Sequence, residues 1–300
     1  MEQQERFRGC LLGLAAGDAV GTTVEFRPRD SFEPVTDMVG GGPFHLQPGQ
    51  WTDDTSMALC LGYSLVEMGG FDADDQMQRY LRWWRDGYLS SIGTCFDIGN
   101  TIASALSRYQ NTSDPYSGST STWSAGNGCI MRLAPVPMFY WRDQAKAIRY
   151  AAESSRTTHG TAECLDACRL FSSIIFKALA GLSKEVVLFD NGDLELPSDK
   201  IQAIADGSYR SKNREQIRGS GYVVESLEAS LWCFLHTDTF KDAILTAVNL
   251  GDDADTTGAI CGQVAGAFYG QDAIPAKWRK KLTLGQEIAD LADQLFVTLG

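Results

Sequence analysis

The sequence is poor in histidine, lacks close cysteine pairs and contains no long apolar run. Three histidines occur among 300 residues, and none of the eight cysteines forms a C-x-x-C pair. A structural zinc site is therefore disfavoured, because such sites draw on clustered cysteine and histidine ligands. The charged residues 1–6 are unlike a secretory signal, and the apolar residues 10–16 are too few to span a membrane. These absences predict a cytoplasmic protein with reduced thiols and no membrane partner.

Basic residues are also scarce: the chain has 26 Lys and Arg but 38 Asp and Glu, which gives a formal net charge of -12. That balance disfavours nucleic acid as a partner, because nonspecific binding depends on basic side chains that meet phosphates. The motifs of P-loop NTPases, H-E-x-x-H zinc proteases and Rossmann dehydrogenases are absent as well, so these classes lose most of their support. The sequence does not fix the oligomeric state, and we favour a monomer.

Helical spacing of apolar residues dominates the sequence, and few stretches alternate for long enough to indicate strands. No linker separates independently patterned halves, so residues 1–300 are predicted to form one all-α domain. Gly13, Gly17 and Gly21 recur at four-residue spacing, which favours close packing between helices. The clearest predicted helices are residues 56–68, 161–180, 223–235, 240–250, 256–269 and 286–299.

Three long polar and glycine-rich segments separate the helices, namely residues 30–50, 111–128 and 206–221. Structureless segments longer than about 12–15 residues are uncommon in compact domains, and they are often functional. We predict that these segments form the walls or lids of one cleft.

Two short segments place adjacent carboxylates and threonine hydroxyls directly before helices. They are Trp-Thr-Asp-Asp-Thr at residues 51–55 and Gly-Asp-Asp-Ala-Asp-Thr-Thr at residues 251–257. Helix capping explains either segment alone, because Asp and Thr are preferred N-caps and acids complement the helix dipole. A cap uses one side chain, however, and the other carboxylates repel one another unless a cation lies between them. Such oxygen ligands suit Mg²⁺ or Mn²⁺, so two metals are predicted if the segments converge.

Two further segments fit a phosphate-bearing substrate. Residues 124–132 form a glycine-rich turn before an apolar stretch, and such turns can direct successive backbone N–H groups at an anion. His159 precedes a predicted helix and could donate to the same phosphate. From the residues alone, an ordinary loop and a helix-capping histidine remain the alternatives.

Together these segments resemble the ADP-ribosylglycohydrolase family, because seven motifs follow one another in the family's order. Each motif alone is weak, but the ordered set is specific and extends over most of the chain. The motifs are residues 9–13 with 17–21 and Glu25, residues 51–55, 97–101, 126–132, 158–159, 221–229 and 251–258.

The resemblance implies an orthogonal all-α fold with two divalent cations, Mg²⁺ or Mn²⁺, at the bottom of a cleft. Asp252 stands where the family often has glycine, which makes its segment more acidic than usual. The implied metal ligands are Thr52, Asp53, Asp54, Asp253, Asp255 and Thr256.

The resemblance also implies roles in catalysis and substrate binding. Asp97 matches the acid/base carboxylate of arginine-type members, whereas the residues alone favour an N-cap before a helix over residues 98–106. Glu25 matches a glutamate that closes over the metals in some relatives, so either carboxylate could carry the proton. Tyr222 is predicted to stack on adenine or to pack in the core. The implied substrate-binding residues are Asn100, Gly126, Asn127, Gly128, Met131, His159 and Tyr222.

The implied reaction is hydrolysis of the bond between the anomeric ribose carbon and its acceptor, with ADP-ribosyl-arginine on protein as the leading substrate. Serine-linked, O-acetylated and nucleic-acid-linked ADP-ribose are alternatives within the same enzyme class. A non-catalytic ADP-ribose binder is disfavoured because every expected ligand position carries a suitable side chain. A dinuclear metallophosphatase is disfavoured by the shortage of histidine, and release of free ADP-ribose would separate it from a glycohydrolase.

Overall fold

The structure is a computed structural model that describes residues 1–298, and within that range the chain is helical. No β-strand occurs in residues 1–298, where isolated bridges such as the one between Gly126 and Tyr222 are the only extended pairings. The predicted all-α fold is confirmed. The α-helices are α1 (Gln3–Gly21), α2 (Asp53–Met68), α3 (Ala73–Asp86), α4 (Asn100–Thr112), α5 (Pro135–Phe139), α6 (Gln144–Arg156), α7 (Ala162–Leu179), α8 (Lys184–Phe189), α9 (Asp199–Ala205), α10 (Val223–Leu235), α11 (Phe240–Val248), α12 (Ala254–Tyr269), α13 (Ala276–Lys281) and α14 (Gly285–Val297).

The predicted helices occur where expected, and the most informative differences concern the starts of two of them. α2 begins at Asp53 rather than at residue 56, and α12 begins at Ala254 rather than at residue 256. The acidic segments therefore form the first helical turns themselves, which apolar periodicity does not detect. Leu299, the last residue of the predicted C-terminal helix, lies outside the described residues.

A close antiparallel contact between α1 and α12 sets the position of both helices. Gly13, Gly17 and Gly21 face α12, and a β-carbon at any of them would overlap a backbone carbonyl oxygen of that helix. The predicted close packing is confirmed. Because Gly21 lies against Ala254, the C-terminal end of α1 meets the first turn of α12.

Buried polar contacts fix the segments that precede α2 and α12. The indole of Trp51 is buried and donates from Nε1 to the carbonyl oxygen of Thr283 at 3.0 Å. The guanidinium of Arg29 donates to the carbonyl oxygen of Leu250 at 3.1 Å and also to that of Ile217. The long segment around Ile217 is thereby tied to the loop that leads into α12.

Two hydrophobic clusters form the core. The larger one draws on residues from Phe7 to Leu295, and the smaller one lies between α2, α3 and α4 around Tyr80 and Trp83. In the part of the chain that the structure describes, no helix is long and apolar enough to cross a membrane. The assignment of residues 1–300 to a single domain stays a prediction.

Candidate active site

The first turns of α2 and α12 meet in space. Thr52 Oγ1 lies 3.3 Å from Oδ2 of Asp255, which is 203 residues away in sequence. Thr256 Oγ1 donates to Asp54 Oδ1 at 3.2 Å, and all four side chains are buried. The convergence on which the metal prediction depends is therefore present, and it gathers carboxylates and hydroxyls into one buried acidic cluster.

Asp18 of α1 is a further carboxylate, and it holds the start of α2 in place. Its Oδ1 accepts from the backbone N–H and the hydroxyl of Thr52, at 2.9 and 3.0 Å. Its Oδ2 accepts from the backbone N–H and the hydroxyl of Thr55, at 3.1 and 2.6 Å. Thr52 makes no side-chain cap bond to its own helix, so Asp18 takes over that function from another helix.

Asp18 is absent from the site residues predicted from the sequence, although one signal marks it. It is a lone carboxylate within the otherwise apolar, glycine-spaced residues 11–21. A charged side chain in a fully buried helix needs several hydrogen-bond partners. Its position therefore indicates a buried polar site that apolar patterning alone does not show.

Several buried carboxylate oxygens of the cluster have no hydrogen-bond donor among the described residues, namely Asp54 Oδ2, Asp255 Oδ1 and Glu25 Oε2. One oxygen from each of Asp18, Asp54 and Asp255 lies within 4.8 Å of the other two, and Glu25, Asp97 and Asp255 form a second such group. Burial raises the pKa of Asp54 and of Asp255 well above the usual range, and neighbouring carboxylates raise both further. Unpaired oxygens that repel one another fit divalent cations, so the cluster could hold metal ions.

Asp253 joins the cluster from the N-cap position of α12, and Asn127 orients it. The side-chain amide of Asn127 donates to Asp253 Oδ2 at 2.8 Å and to Ser226 Oγ at 3.1 Å. The backbone N–H of Asn127 donates to the carbonyl oxygen of Gly221 at 3.0 Å. All N–H groups of Asn127 are thus used inside the protein, and its visible role is to position Asp253.

Glu25 and Phe26 follow α1 at one end of the cluster. Glu25 is buried, and burial together with the charges of Asp97 and Asp253 raises its pKa to about 10. Phe26 has φ of 61° and a 65% exposed side chain. Its N–H donates to the carbonyl oxygen of Asp252 at 2.8 Å, which holds this strained backbone in place. Phe26 was not predicted as a site residue, and no motif in the sequence marks it.

Asp97 faces the same end of the cluster from the loop before α4. It is partly exposed, its backbone has φ of 59°, and burial raises its pKa to about 7. The helix predicted over residues 98–106 begins only at Asn100, with Gly99 before it. The interpretation of Asp97 as an N-cap is therefore wrong, because a residue at positive φ three positions before the helix cannot cap it.

A cavity of about 350 Å³ opens above the acidic cluster. Glu25 and Asp97 line it, together with the glycine-rich turn of residues 126–128 and His159. A larger open cleft of about 930 Å³ lies between α6, α7 and residues 190–197. The converging carboxylates lie at the smaller cavity, which is therefore the candidate active site.

The cavity brings most of the predicted site residues together. Thr52 and Asp54 lie beneath its lining and are fully buried. Tyr222 is outside the lining, and its hydroxyl donates to Glu163 Oε2 and accepts from Lys200 Nζ, both at 2.7 Å. The predicted residues that line the cavity are Glu25, Asp53, Asp97, Asn100, Gly126, Asn127, Gly128, Met131, His159, Asp253, Asp255 and Thr256.

The long segments contribute unequally to the cavity. The second ends in the turn of residues 126–128, and the third contributes Gly221. Residues 30–50 supply no lining residue, contrary to the prediction that they form a wall or lid. Phe44 from this segment instead packs against Phe26, with ring centroids 6.4 Å apart.

Comparison with known proteins agrees with this geometry. The family model for ADP-ribosylglycohydrolase matches residues 1–299. Over 295 residues the chain is 45% identical to ADP-ribosylarginine hydrolase Tri1 of Serratia proteamaculans, which covers 98% of this chain and 80% of that protein. It is 33% identical to the ADP-ribosyl-[dinitrogen reductase] glycohydrolase of Rhodospirillum rubrum, with 99% and 97% covered. A solved structure described as an ADP-ribosylglycohydrolase-related protein complex matches with a TM-score of 0.87 at 42% identity, with 98% of each chain covered.

Together with these matches, the all-α fold and the carboxylate-lined cavity identify the protein as a glycosyl hydrolase. With a family match across nearly the whole sequence, the chain belongs to the ADP-ribosylglycohydrolase family.

Proposed function

We propose that this protein hydrolyses ADP-ribosyl-arginine on protein, releasing ADP-ribose and restoring the arginine side chain. The observation that carries the proposal is the meeting of the first turns of α2 and α12 beneath a cavity that also contains a glycine-rich turn. Relatives at 45% identity are named ADP-ribosylarginine hydrolase, which favours arginine as the acceptor.

The cluster is proposed to hold two divalent cations, Mg²⁺ or Mn²⁺. The fit rests on the unpaired buried oxygens of Asp54 and Asp255 and on the hard character of carboxylate and hydroxyl ligands. When bound, such cations stabilise developing negative charge and orient substrate hydroxyls. The residues proposed to hold them are Thr52, Asp53, Asp54, Asp253, Asp255 and Thr256.

Asp97 and Glu25 are proposed to carry the proton transfer. In the reaction, water adds to the anomeric carbon, the bond to the guanidinium nitrogen breaks, and the arginine leaves with a proton. Asp97 is the better placed acceptor of the water proton, because it is partly exposed at the cavity wall while Glu25 is almost fully buried. Glu25 is proposed to support it from the adjacent position.

The part of the cavity near His159 is proposed to bind the diphosphate. Gly128 and His159 both line the cavity, and a β-carbon on Gly128 would lie against the His159 ring. Asn100 and Met131 line the cavity as well and would contact the nucleotide from the sides. The proposed order along the cavity is therefore acceptor arginine near Asp97, ribose above the cluster, and diphosphate near His159.

The decisive test is a panel of arginine-linked, serine-linked and nucleic-acid-linked ADP-ribose, each assayed with Mg²⁺ and with Mn²⁺. We expect free ADP-ribose from the arginine-linked substrate, measured by chromatography, and no turnover after exhaustive chelation. Full activity in the presence of the chelator would contradict the metal assignment. Exclusive turnover of another linkage would contradict the substrate assignment.

The proposed role of Asp97 is tested by Asp97→Asn, which keeps the shape of the side chain and removes its basicity. We expect kcat to fall by about a hundredfold or more, the usual contribution of a general acid–base group. Asp252→Asn is the matched control, because Asp252 is exposed, adjacent to the cluster and outside the cavity lining. Normal turnover by Asp97→Asn would move the assignment to Glu25.

A further inference from the structure

His159 presents one ring nitrogen to the cavity and the other to the protein interior. The side chain is 2% exposed and lines the cavity. A β-carbon on Gly128 would lie 3.2 Å from Nε2, and one on Gly126 would lie 3.4 Å from it. The Nε2 edge therefore faces the glycine-rich turn, and at Gly128 a β-carbon would overlap the ring, since it would lie 2.8 Å from Cε1. Nδ1 lies 2.8 Å from Thr158 Oγ1.

The hydrogen bonds around Thr158 determine which nitrogen of His159 carries the proton. Arg132 Nη2 lies 2.7 Å from Thr158 Oγ1, and a guanidinium can only donate. Thr158 Oγ1 therefore accepts a hydrogen bond from Arg132, and its own O–H still needs an acceptor. Within residues 1–298, Nδ1 of His159 is the sole acceptor near that hydroxyl. Because Thr158 is fully buried, a proton on Nδ1 would leave the hydroxyl unpaired, which is unfavourable.

Arg132 is a buried cation with few polar partners. It is 1% exposed, lies 4.7 Å from the ring centroid of Tyr80, and forms no ion pair within the described residues. Burying an unpaired charge is costly. Its hydrogen bond to Thr158 Oγ1 gives this buried cation a role in directing that hydroxyl.

We propose that Arg132 and Thr158 are positioning residues that lock His159 in the tautomer with its proton on Nε2, so that the cavity receives a hydrogen-bond donor. A donor at this point suits an anion, and the opposite tautomer would turn a lone pair toward it. The identity of that anion as the diphosphate of ADP-ribose rests on the proposed function. Burial lowers the pKa of His159 to about 4, which agrees with a neutral ring at physiological pH.

The tautomer can be read directly by ¹⁵N NMR of protein labelled at histidine, because the chain has only three histidines. His236 is an internal reference for the opposite tautomer. Its Nδ1 lies 2.9 Å from the Trp232 carbonyl oxygen, which can only accept, so Nδ1 must carry the proton. His159→Gln and His236→Gln assign the signals. At pH 8 we expect the Nε2–H form for His159 and the Nδ1–H form for His236.

The matched variants are Thr158→Val, which removes the hydroxyl at similar size, and Thr158→Ser, which keeps it. Thr158→Val is expected to lose the fixed tautomer and to bind ADP-ribose about tenfold more weakly, the equivalent of one hydrogen bond to a charged group. In turnover, KM should rise while kcat changes little. Thr158→Ser should restore both the tautomer and the affinity, and His236→Gln should leave KM unchanged.

Two results would overturn the proposal: an Nδ1–H tautomer of His159 in the wild-type protein, or a Thr158→Val variant that keeps both the tautomer and the affinity. Should Thr158→Val not fold, the wild-type spectrum decides the question alone. Normal ADP-ribose binding without hydrolysis of the arginine-linked substrate would contradict the proposed function and leave the positioning role intact.

Discussion

At the scale of single residues, the site depends on side chains whose partners belong to other helices. Asp18 is the clearest case, because its two oxygens accept four hydrogen bonds from Thr52 and Thr55 of α2. Both of its oxygens accept hydrogen bonds from α2, and one of them lies within 4.8 Å of oxygens of Asp54 and Asp255. Asp18 therefore acts as a support for the cluster, and orienting groups of this kind contribute strongly to metal affinity.

Asp18→Asn tests this support. The amide nitrogen cannot accept from Thr55 or Thr52, so the first turn of α2 should lose its fixed orientation. We expect the affinity for Mn²⁺, measured by calorimetry, to fall by about tenfold or more. Asp290→Asn is the control, because Asp290 is an exposed carboxylate on α14. Equal affinities in the two variants would show that Asp18 does not position the cluster.

His159 also gives a prediction for stability against pH. Its pKa is about 4 in the folded protein, owing to burial, against a usual value near 6.5 in the unfolded chain. Between these values the unfolded chain takes up a proton that the folded protein does not, so stability is lost as the pH falls. Above the upper value both states are neutral, and His159 contributes no pH dependence.

Compared with His159→Gln, the wild-type protein should therefore lose about 1.4 kcal/mol of unfolding free energy for each pH unit between that upper value and about pH 4. The difference between the two proteins should be constant at higher pH. Denaturant titrations at a fixed chelator concentration measure it. His236→Gln is the control, and a difference curve that is flat throughout would mean that His159 is not buried in its neutral form.

At the scale of elements, the contact between α1 and α12 determines where the acidic cluster can form. The glycines of α1 let the two backbones approach so closely that the end of α1 meets the start of α12. Glu25 and Asp18 come from the α1 side of this contact, and Asp255 comes from the α12 side. Any separation of the two helices would widen the cluster.

Gly17→Ala is expected to separate these helices, because its β-carbon would overlap the carbonyl oxygen of Gly258. Overpacking of this kind costs about 1–3 kcal/mol of unfolding free energy, which urea denaturation would detect, and metal affinity should fall with it. Gly70→Ala is the matched control, since its β-carbon would meet only the Tyr140 hydroxyl, at 3.6 Å. Equal stability of the two variants would contradict the close-packing argument.

At the scale of the whole molecule, the cluster joins helices from both ends of the chain, and cations bound there would link them. Ligand binding to the folded state alone stabilises a protein by about 2.7 kcal/mol when the ligand is at a hundred times its Kd. We therefore expect saturating Mg²⁺ or Mn²⁺ to raise Tm in thermal denaturation followed by circular dichroism. The variant Asp255→Ala should keep its helical signal and lose this response. An equal rise in Tm for that variant would place the cations elsewhere.

The sequence by itself determined the helical character, most helix positions and the two acidic segments. These features are local, since apolar spacing and adjacent carboxylates can be read within a single turn or helix. The tight approach of α1 to another helix was also readable, because three glycines at four-residue spacing leave one face without side chains.

Only the tertiary structure decided what these features form together. The contact between Thr52 and Asp255, the support from Asp18 and the hydrogen bonds that hold Tyr222 outside the cavity lining all depend on residues far apart in sequence. The same holds for the proton on His159, which is set by a hydroxyl and a guanidinium from different segments. Local patterns specify an element and its buried face, whereas the partner of each polar group is fixed only when the helices pack.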